Sequence, residues 1–506
     1  LAAGQTETYS GELKVRRPEL WDLDTPCLYT LNTTLIQSGK VIDQTSIRTG
    51  FRSLQFDANR GFALNGRWMK IKGVCLHHDA GVLGASVPKE VWRRRLLNLK
   101  LIGVNAVRTS HNPQASMFYD LCDELGLLVL NEMFDEWEYP KRKWIEGWNI
   151  GTPGYEGSYD FFEKWGEKDL ADFVRRDRNH LSVFACSIGN EVDYPNDPYS
   201  HPVLDGGKDT GFTQAIYGGY KKDAPDAMRL GVIAQRLAEV VKRYDRSRPT
   251  TAGLAGVAMS NRTAYPGALD IVGYNYTESL YETDHQTYPD RVIYGSENRH
   301  DYAAWMAVKK HDFIFGQFLW TGIDYLGESG AWPSRGFYSG LLDFGGFLKP
   351  RGYYRQSLWS DTPMAYLGTY PAPANISEVP SMDAWPIWNY DREGAQIRVV
   401  CYTNCVAARL LLNGAMVGTT KPKDEQCGIL FWDIPYYPGR LEVEALDEQG
   451  TPVARYVLQT ADAPSRIIAE TDRVTVAPND LIQVFVRVED SDGHLAMLSD
   501  HELECR

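Results

Sequence analysis

The feature that most constrains this chain is an alternation, between about residues 60 and 365, of short apolar runs with longer stretches of helical period. Continuous apolar runs of strand length predict strands buried on both faces, and helices between them predict a parallel sheet. The predicted strands are Met69–Leu76, Val104–Thr109, Leu127–Leu130, Val183–Ile188, Thr250–Leu254, Asp270–Tyr276, Arg291–Tyr294 and Phe313–Trp320, with helices such as Met228–Tyr244 between them. Eight strands in about 300 residues fit a (β/α)8 TIM barrel better than an open sheet. No Gly-x-Gly-x-x-Gly turn follows the first strand, which disfavours a dinucleotide fold.

On either side the period changes to that of half-exposed strands. Residues 1–58 alternate polar and apolar side chains, with Ser38-Gly39 as the turn between two runs. The barrel domain is read as 59–368, followed by a Pro-rich connector at Tyr370-Pro-Ala-Pro-Ala. Strand-like segments return at Ile397–Tyr402, Arg409–Leu412, Ile429–Ile434 and Leu441–Ala445, with Asn413-Gly414 as a tight hairpin turn. They form a second β domain over 369–462, and 463–506 opens a further, partial one. The chain begins at Leu1 with neither an initiator Met nor a signal peptide and reads as a processed or truncated product. Compartment is therefore not legible, although a periplasmic or secreted setting is compatible with it.

A net charge of −13 argues against nucleic acid or an anionic membrane surface as partner. No apolar run approaches the roughly 20 residues of a membrane span, so membrane insertion is not expected. Cys27, Cys75, Cys122, Cys186, Cys401, Cys405, Cys427 and Cys505 show no Cys-x-x-Cys pair or metal-type spacing, and a disulfide among the C-terminal ones stays open. The 14 Trp and 29 Tyr suit both large β-domain cores and flat platforms for sugar rings.

In a (β/α)8 barrel, reacting groups come from the C-terminal ends of strands. Here several predicted strands end in polar clusters: Ser187-Ile-Gly-Asn190-Glu191, Ile293-Tyr-Gly-Ser296-Glu297, Thr109-Ser-His111, Leu76-His77-His78-Asp79, Asn131-Glu132 with Asp135-Glu136 beyond it, and Asn275-Tyr276. One Glu after an apolar strand is weak evidence of function. Glu191 and Glu297, on different strands of one barrel, supply the carboxyl pair that glycosidic cleavage needs: one protonated to assist the leaving oxygen, one ionised to attack the anomeric carbon.

Two longer runs make the reading specific. Asn105-Ala-Val-Arg108-Thr-Ser-His111-Asn-Pro113, continuing through Cys122-Asp-Glu-Leu-Gly126, resembles the first signature of glycoside hydrolase family 2. Asp177-Arg-Asn-His180-Leu-Ser-Val-Phe-Ala-Cys186-Ser-Ile-Gly-Asn190-Glu191 is similar to the second. The resemblance spans essentially the whole chain and implies immunoglobulin-like β-sandwich domains flanking the barrel. It implies a retaining, exo-acting β-galactosidase working by double displacement on a carbohydrate substrate. It matches Glu191 to the general acid/base, Glu297 to the nucleophile, Asn190 to the residue on the sugar's 2-hydroxyl, and Tyr276 to the donor that keeps the nucleophile ionised. His300, His77 and His111 match sugar-contacting histidines, and Trp320 an aromatic wall of the sugar subsite. Asp135 is counted among the substrate-binding residues, and with Glu136 and Glu138 it is read either as a solvated loop or as holding a divalent cation such as Mg²⁺; no cofactor is expected to be required. Arg108 either orients the nucleophile or ties strand ends together. Lys141-Arg-Lys143 reads as a solvated charge run, and homo-oligomer formation is left open.

The chain departs from the family where Cys186 replaces a tryptophan, Asn112 a tyrosine, and Asn298-Arg299 the usual Tyr-Gly. The resemblance also implies a jelly-roll domain before this segment, so that either material was cut or the fragment is incomplete. The Asn-x-Lys triplet by which family β-glucuronidases clamp a carboxylate is missing from Phe337–Lys349, and burying a carboxylate without a cation is costly. β-Glucuronidase and β-mannosidase remain the alternatives within the family. A non-catalytic carbohydrate-binding protein on a degenerate barrel is the alternative outside it, expected to have lost one of the two Glu residues.

Overall fold

A computed structural model describes residues 4–141, 157–206, 219–330, 332–478 and 481–504. Arg142, Lys143 and Cys505 lie outside them. The eight apolar runs form strands β1 (Ile71–Leu76), β2 (Ala106–Thr109), β3 (Leu128–Glu132), β4 (Val183–Asn190), β5 (Thr250–Leu254), β6 (Val272–Asn275), β7 (Ile293–Asn298) and β8 (Ile314–Leu319). Each pairs in parallel with the next, and β8 pairs with β1 to close the barrel.

Two apolar layers follow from the two-residue period of the strands. Val74, Leu76, Val107 and Val129 point outward and pack under the helices, against residues such as Leu96, Leu121 and Leu237. Ile71, Cys75, Ala106, Leu128 and Leu130 join an interior cluster with Phe184, Phe315 and Phe318. That interior is plugged from below by a three-stranded sheet, Leu54–Asp57, Gly61–Leu64 and Arg67–Met69, which runs across residue 58. Its Phe62 ring lies 5.9 Å from Phe184 and 6.3 Å from Phe315. With one end closed by aromatic rings, polar chemistry is confined to the other.

Helices bury one stripe. In Arg229–Tyr244 the buried Leu230, Ile233, Ala234, Leu237 and Val241 recur at helical spacing. Gly126 ends Ser116–Leu125 in the left-handed conformation (φ 70°), and its N–H returns to the Cys122 carbonyl. A Cβ there would stand 2.3 Å from the Leu23 carbonyl oxygen, so both backbone and space require glycine. The Asp123 carboxylate accepts the Ser182 N–H at 2.7 Å and meets His180 Nδ1 at 2.7 Å. Two signature runs that are separate in sequence are thus bonded together beneath the site.

Before the barrel, Tyr29–Gln37 and Lys40–Thr49 form an antiparallel hairpin. Ser38 and Gly39 both have positive φ, as a two-residue primed turn requires. After it, a three-stranded sheet (Ala365–Pro371, Gln396–Thr403, Ile429–Pro435) faces a four-stranded one (Ala407–Leu412, Ala415–Pro422, Arg440–Leu446, Pro452–Gln459). Leu367, Val399 and Cys401 from the first share a core with Leu410, Leu441 and Val443 from the second. Asn413 and Gly414 make the predicted turn, again with positive φ. A last hairpin, Arg466–Thr471 with Val484–Glu489, returns to the barrel, where Phe485 meets Phe347 at 5.5 Å. The described cysteines are free thiols, most of them buried.

Candidate active site

The C-terminal ends of the strands surround a cavity of about 870 Å³ lined by His111, Asn190, Glu191, Tyr276, Glu297, His300 and Trp320. Most of the residues singled out in the sequence therefore meet in one place. Two do not line it. His77 stands behind the wall, stacked on Tyr325 with ring centroids 4.0 Å apart, and burial pushes its imidazole down to about 3. Asp135 also lies behind, accepting from Asn190 Nδ2 at 2.9 Å.

Glu297 ends β7 and is almost completely buried. Its Oε1 accepts from Arg108 at 2.8 Å and its Oε2 from the Tyr276 hydroxyl at 2.8 Å. His111 Nε2 is 3.7 Å from Oε1. Burial pushes this carboxyl above its ordinary value and the neighbouring charge of Glu191 adds to that; Arg108, His111 and Tyr276 work in the opposite direction. Glu191, just beyond β4, accepts from Asn275 Nδ2 at 3.1 Å. Glu191 and Tyr276 both adopt left-handed backbone conformations, φ 47° and 54°. Each such residue costs about 1–2 kcal/mol, and main-chain bonds hold them: Glu191 N–H to the Gly253 carbonyl at 2.7 Å, and Tyr276 N–H to that of Glu297 at 2.8 Å.

Beneath the two glutamates lies a polar layer centred on Arg108, which ties strand ends together and also reaches Glu297. Its guanidinium, fully buried, bonds Glu132 in two-pronged fashion, the Asn190 side chain at 2.9 Å, the Ser296 carbonyl at 2.8 Å, and Glu297. Burial opposes its charge, but Glu132 and Glu297 overcome that and hold it well above its ordinary value. Glu132 is pushed up by burial, yet Arg108 and His111 leave it lower than an ordinary glutamate. Ser296 Oγ reaches Asn275 Oδ1 at 2.6 Å, which orients that amide toward Glu191. Glu132, Asn275 and Ser296 had only a strand-end position to mark them; their partners lie on other strands.

His300 Nε2 lies 3.0 Å from the Trp320 carbonyl, which assigns the proton to Nε2. Its Nδ1 is buried with no partner among the described residues. Burial, then Arg355 and Arg351, hold the ring well below its ordinary value, so it is neutral and Nδ1 is an acceptor. The rest of the cavity wall comes from Tyr194, Arg299 and Arg351 and from the stretch between Glu328 and Ser339, none of which was predicted. The missing Asn-x-Lys triplet therefore does not mean that cations are absent. Arg351, however, is bonded at both its prongs to Asp383, at 2.7 and 2.6 Å, and Lys349 to Asp324 at 2.9 Å. Arg299 has no carboxylate partner among the described residues; it is exposed, with its guanidinium 5.2 Å from the Tyr276 ring centre. No group of three or more His, Cys, Asp or Glu side chains among the described residues is placed to hold a metal ion.

A closed parallel barrel with two buried glutamates lining one cavity at its C-terminal rim is an arrangement suited to holding a carboxyl pair about a glycosidic bond. Residues 58–253 match the family described as "Glycosyl hydrolases family 2, TIM barrel domain", residues 1–52 "Glycosyl hydrolases family 2", and 394–454 a domain of unknown function. The chain belongs to glycosyl hydrolase family 2. It is 32% identical to β-galactosidase BoGH2A of Bacteroides ovatus over 99% of this chain and 61% of that protein. It is 26% identical to a β-glucuronidase of Bacteroides fragilis over 70% of this chain and 51% of that one. A family 2 member from Bacteroides cellulosilyticus has a solved structure that superimposes with a TM-score of 0.78 at 32% identity, covering 95% of this chain and 59% of that one. The chain thus spans about three fifths of the first of these relatives and of the solved structure.

Proposed function

We propose that this chain carries the catalytic centre of a retaining exo-β-galactosidase, with Glu297 as nucleophile and Glu191 as acid/base. The observation that carries the reading is the pair of donors that converge on Glu297. Glu297 receives a guanidinium N–H on one oxygen and a phenol O–H on the other. Burial and the charge of Glu191 raise the proton affinity of Glu297 while Arg108 and Tyr276 lower it, so in this reading Glu297 carries the negative charge and Glu191 the proton. Glu191 then protonates the departing oxygen while Glu297 attacks the anomeric carbon; afterwards Glu191 takes a proton from the water that frees the sugar. The Asn190 side chain, fixed by Arg108 and Asp135, is placed for the 2-hydroxyl, and Trp320, stacked with His111 at 5.1 Å, offers an apolar ring face.

A neutral glycone is favoured because, of the arginines at the cavity wall, Arg351 is already paired and Arg299 sits at the exposed rim, while nearby Lys349 is paired with Asp324. His300 Nδ1 is an unused acceptor at the cavity, suited to a sugar hydroxyl. Similarity to a protein named β-galactosidase supports this reading; the relatives named β-glucuronidase keep the uronide alternative open, with Arg299 as its cation. Nitrophenyl β-galactoside, β-glucuronide and β-mannoside decide between them. The galactoside should show at least a roughly 10²-fold higher kcat/KM; a preference for the glucuronide would transfer the reading to Arg299.

The Tyr276 hydroxyl should show itself in the pH profile. Ionised Glu297 is the reactive form, so activity falls as pH drops through its raised value. Tyr276→Phe removes a bond that favours ionisation, so the acid limb of kcat/KM should move to higher pH, with a loss of roughly 10-fold near neutrality. An unmoved or more acidic limb would contradict this role.

A further inference from the structure

Lys141, expected on a solvated loop, has a completely buried side chain. Its Nζ donates to Asp135 Oδ1 at 2.8 Å and to the Asn190 carbonyl at 2.7 Å. The same Asp135 oxygen accepts from Asn190 Nδ2 at 2.9 Å, so ammonium, carboxylate and amide close a ring behind the end of β4. The Asn190 carbonyl belongs to the peptide that leads into Glu191. The N–H of that peptide is held by the Gly253 carbonyl at 2.7 Å, so the peptide is fixed at both ends just where the chain enters the left-handed conformation of Glu191.

The neighbouring acids are arranged to suit an ammonium better than a metal. Glu138 is bonded to Arg229 at 2.7 Å and to Tyr199 at 2.9 Å, and Glu136 accepts the Lys141 backbone N–H at 3.2 Å. Mg²⁺ demands octahedral oxygen ligands at about 2.1 Å. An ion bound to Asp135 on this side would lie close to the buried ammonium, where two positive charges repel strongly. The described residues around Asp135 therefore do not fit a divalent cation.

From this geometry we infer that Lys141 is a built-in cation that positions the acid/base glutamate and takes the place a divalent ion would fill beside it. The inference rests on the reading of Glu191 as acid/base. Proton donation matters most when the leaving group is poor, so misplacing Glu191 should harm alkyl glycosides selectively.

The test compares kcat/KM, which reports the first chemical step, for methyl β-galactoside and 2,4-dinitrophenyl β-galactoside in the wild type, Glu191→Ala, Lys141→Met and Lys141→Arg. Lys141→Met should lose roughly 10- to 100-fold on the methyl glycoside and only about 3-fold on the dinitrophenyl one. Lys141→Arg, which keeps the charge, should recover part of the loss. The wild type should be unaffected by chelator or by added Mg²⁺. Equal losses on both substrates, in Met or, should Met not fold, in Arg, would assign Lys141 a merely structural role and overturn the inference. So would wild-type activity that chelation removes and Mg²⁺ restores. If Glu191→Ala itself shows no leaving-group dependence, the reading of Glu191 fails, and the inference with it. A normal Glu191→Ala beside an indiscriminate Lys141→Met sinks only the inference.

Discussion

Glu297→Ala is expected to lose roughly 10⁴- to 10⁶-fold in kcat on every glycoside, whatever its leaving group, because no group remains to form the covalent intermediate. Glu191→Ala should behave differently. Alkyl galactosides should lose about 10²- to 10⁴-fold, while an activated aryl glycoside is still cleaved in the first step and the glycosyl-enzyme accumulates. Azide separates the two variants by stereochemistry. In Glu191→Ala it attacks the covalent intermediate without needing a base and yields the β-glycosyl azide. In Glu297→Ala it occupies the vacated space, displaces the leaving group directly from the opposite face and yields the α-azide. Nuclear magnetic resonance of the products reads the anomers. Opposite anomers require the two residues to flank one anomeric carbon; the same anomer from both, or full activity of either variant on alkyl galactosides, would refute the assignment.

Arg108→Met should have the second largest effect, on both stability and rate. The guanidinium is fully buried and bonded to Glu132 and Glu297 at 2.8 Å. Removing one member of a buried ionic cluster leaves its partners uncompensated and costs about 3–5 kcal/mol. The acid limb of the pH profile should move to higher pH, because the charge that most opposes protonation of Glu297 has gone. Loss of orientation at both Glu297 and Asn190 should lower kcat/KM roughly 10²- to 10³-fold at neutral pH. Denaturant unfolding measures the first effect and a pH series the others. Lys at this position keeps the charge but lacks the planar fork that reaches four partners, so it should restore stability more than rate. A Met variant within a few-fold of wild type would show that the layer beneath the glutamates does not set their chemistry.

How much of this was legible in the chain can be followed element by element. Each of the eight predicted barrel strands is a strand of the closed barrel, with ends within a residue or two except at the seventh, which runs four residues further, to Asn298. Buried parallel strands are the case in which an unbroken apolar run carries its own diagnosis. The turns at Ser38-Gly39 and Asn413-Gly414 were equally readable, because few residue pairs accept two successive positive φ values. Polar clusters after those apolar runs marked the rim, and with it the side of the cavity formed by His111, Asn190, Glu191, Tyr276 and Glu297.

What the sequence by itself determined is therefore local: strand, turn, and the end of each strand at which polar residues collect. The tertiary structure alone decided which polar side chain meets which. Arg108 and Glu297 are 189 residues apart and meet only because barrel closure brings β7 within reach of β2. Residues Lys141 and Asp135 carried the same sequence signal as any solvated loop, since a charge run has no period to show that one member turns inward. His77 stands behind the wall and Tyr194 lines it, although strand-end position favoured the first and did not mark the second. Periodicity encodes the direction in which a side chain leaves its own backbone; what it touches depends on the stagger and closure of strands that are neighbours only in the folded barrel.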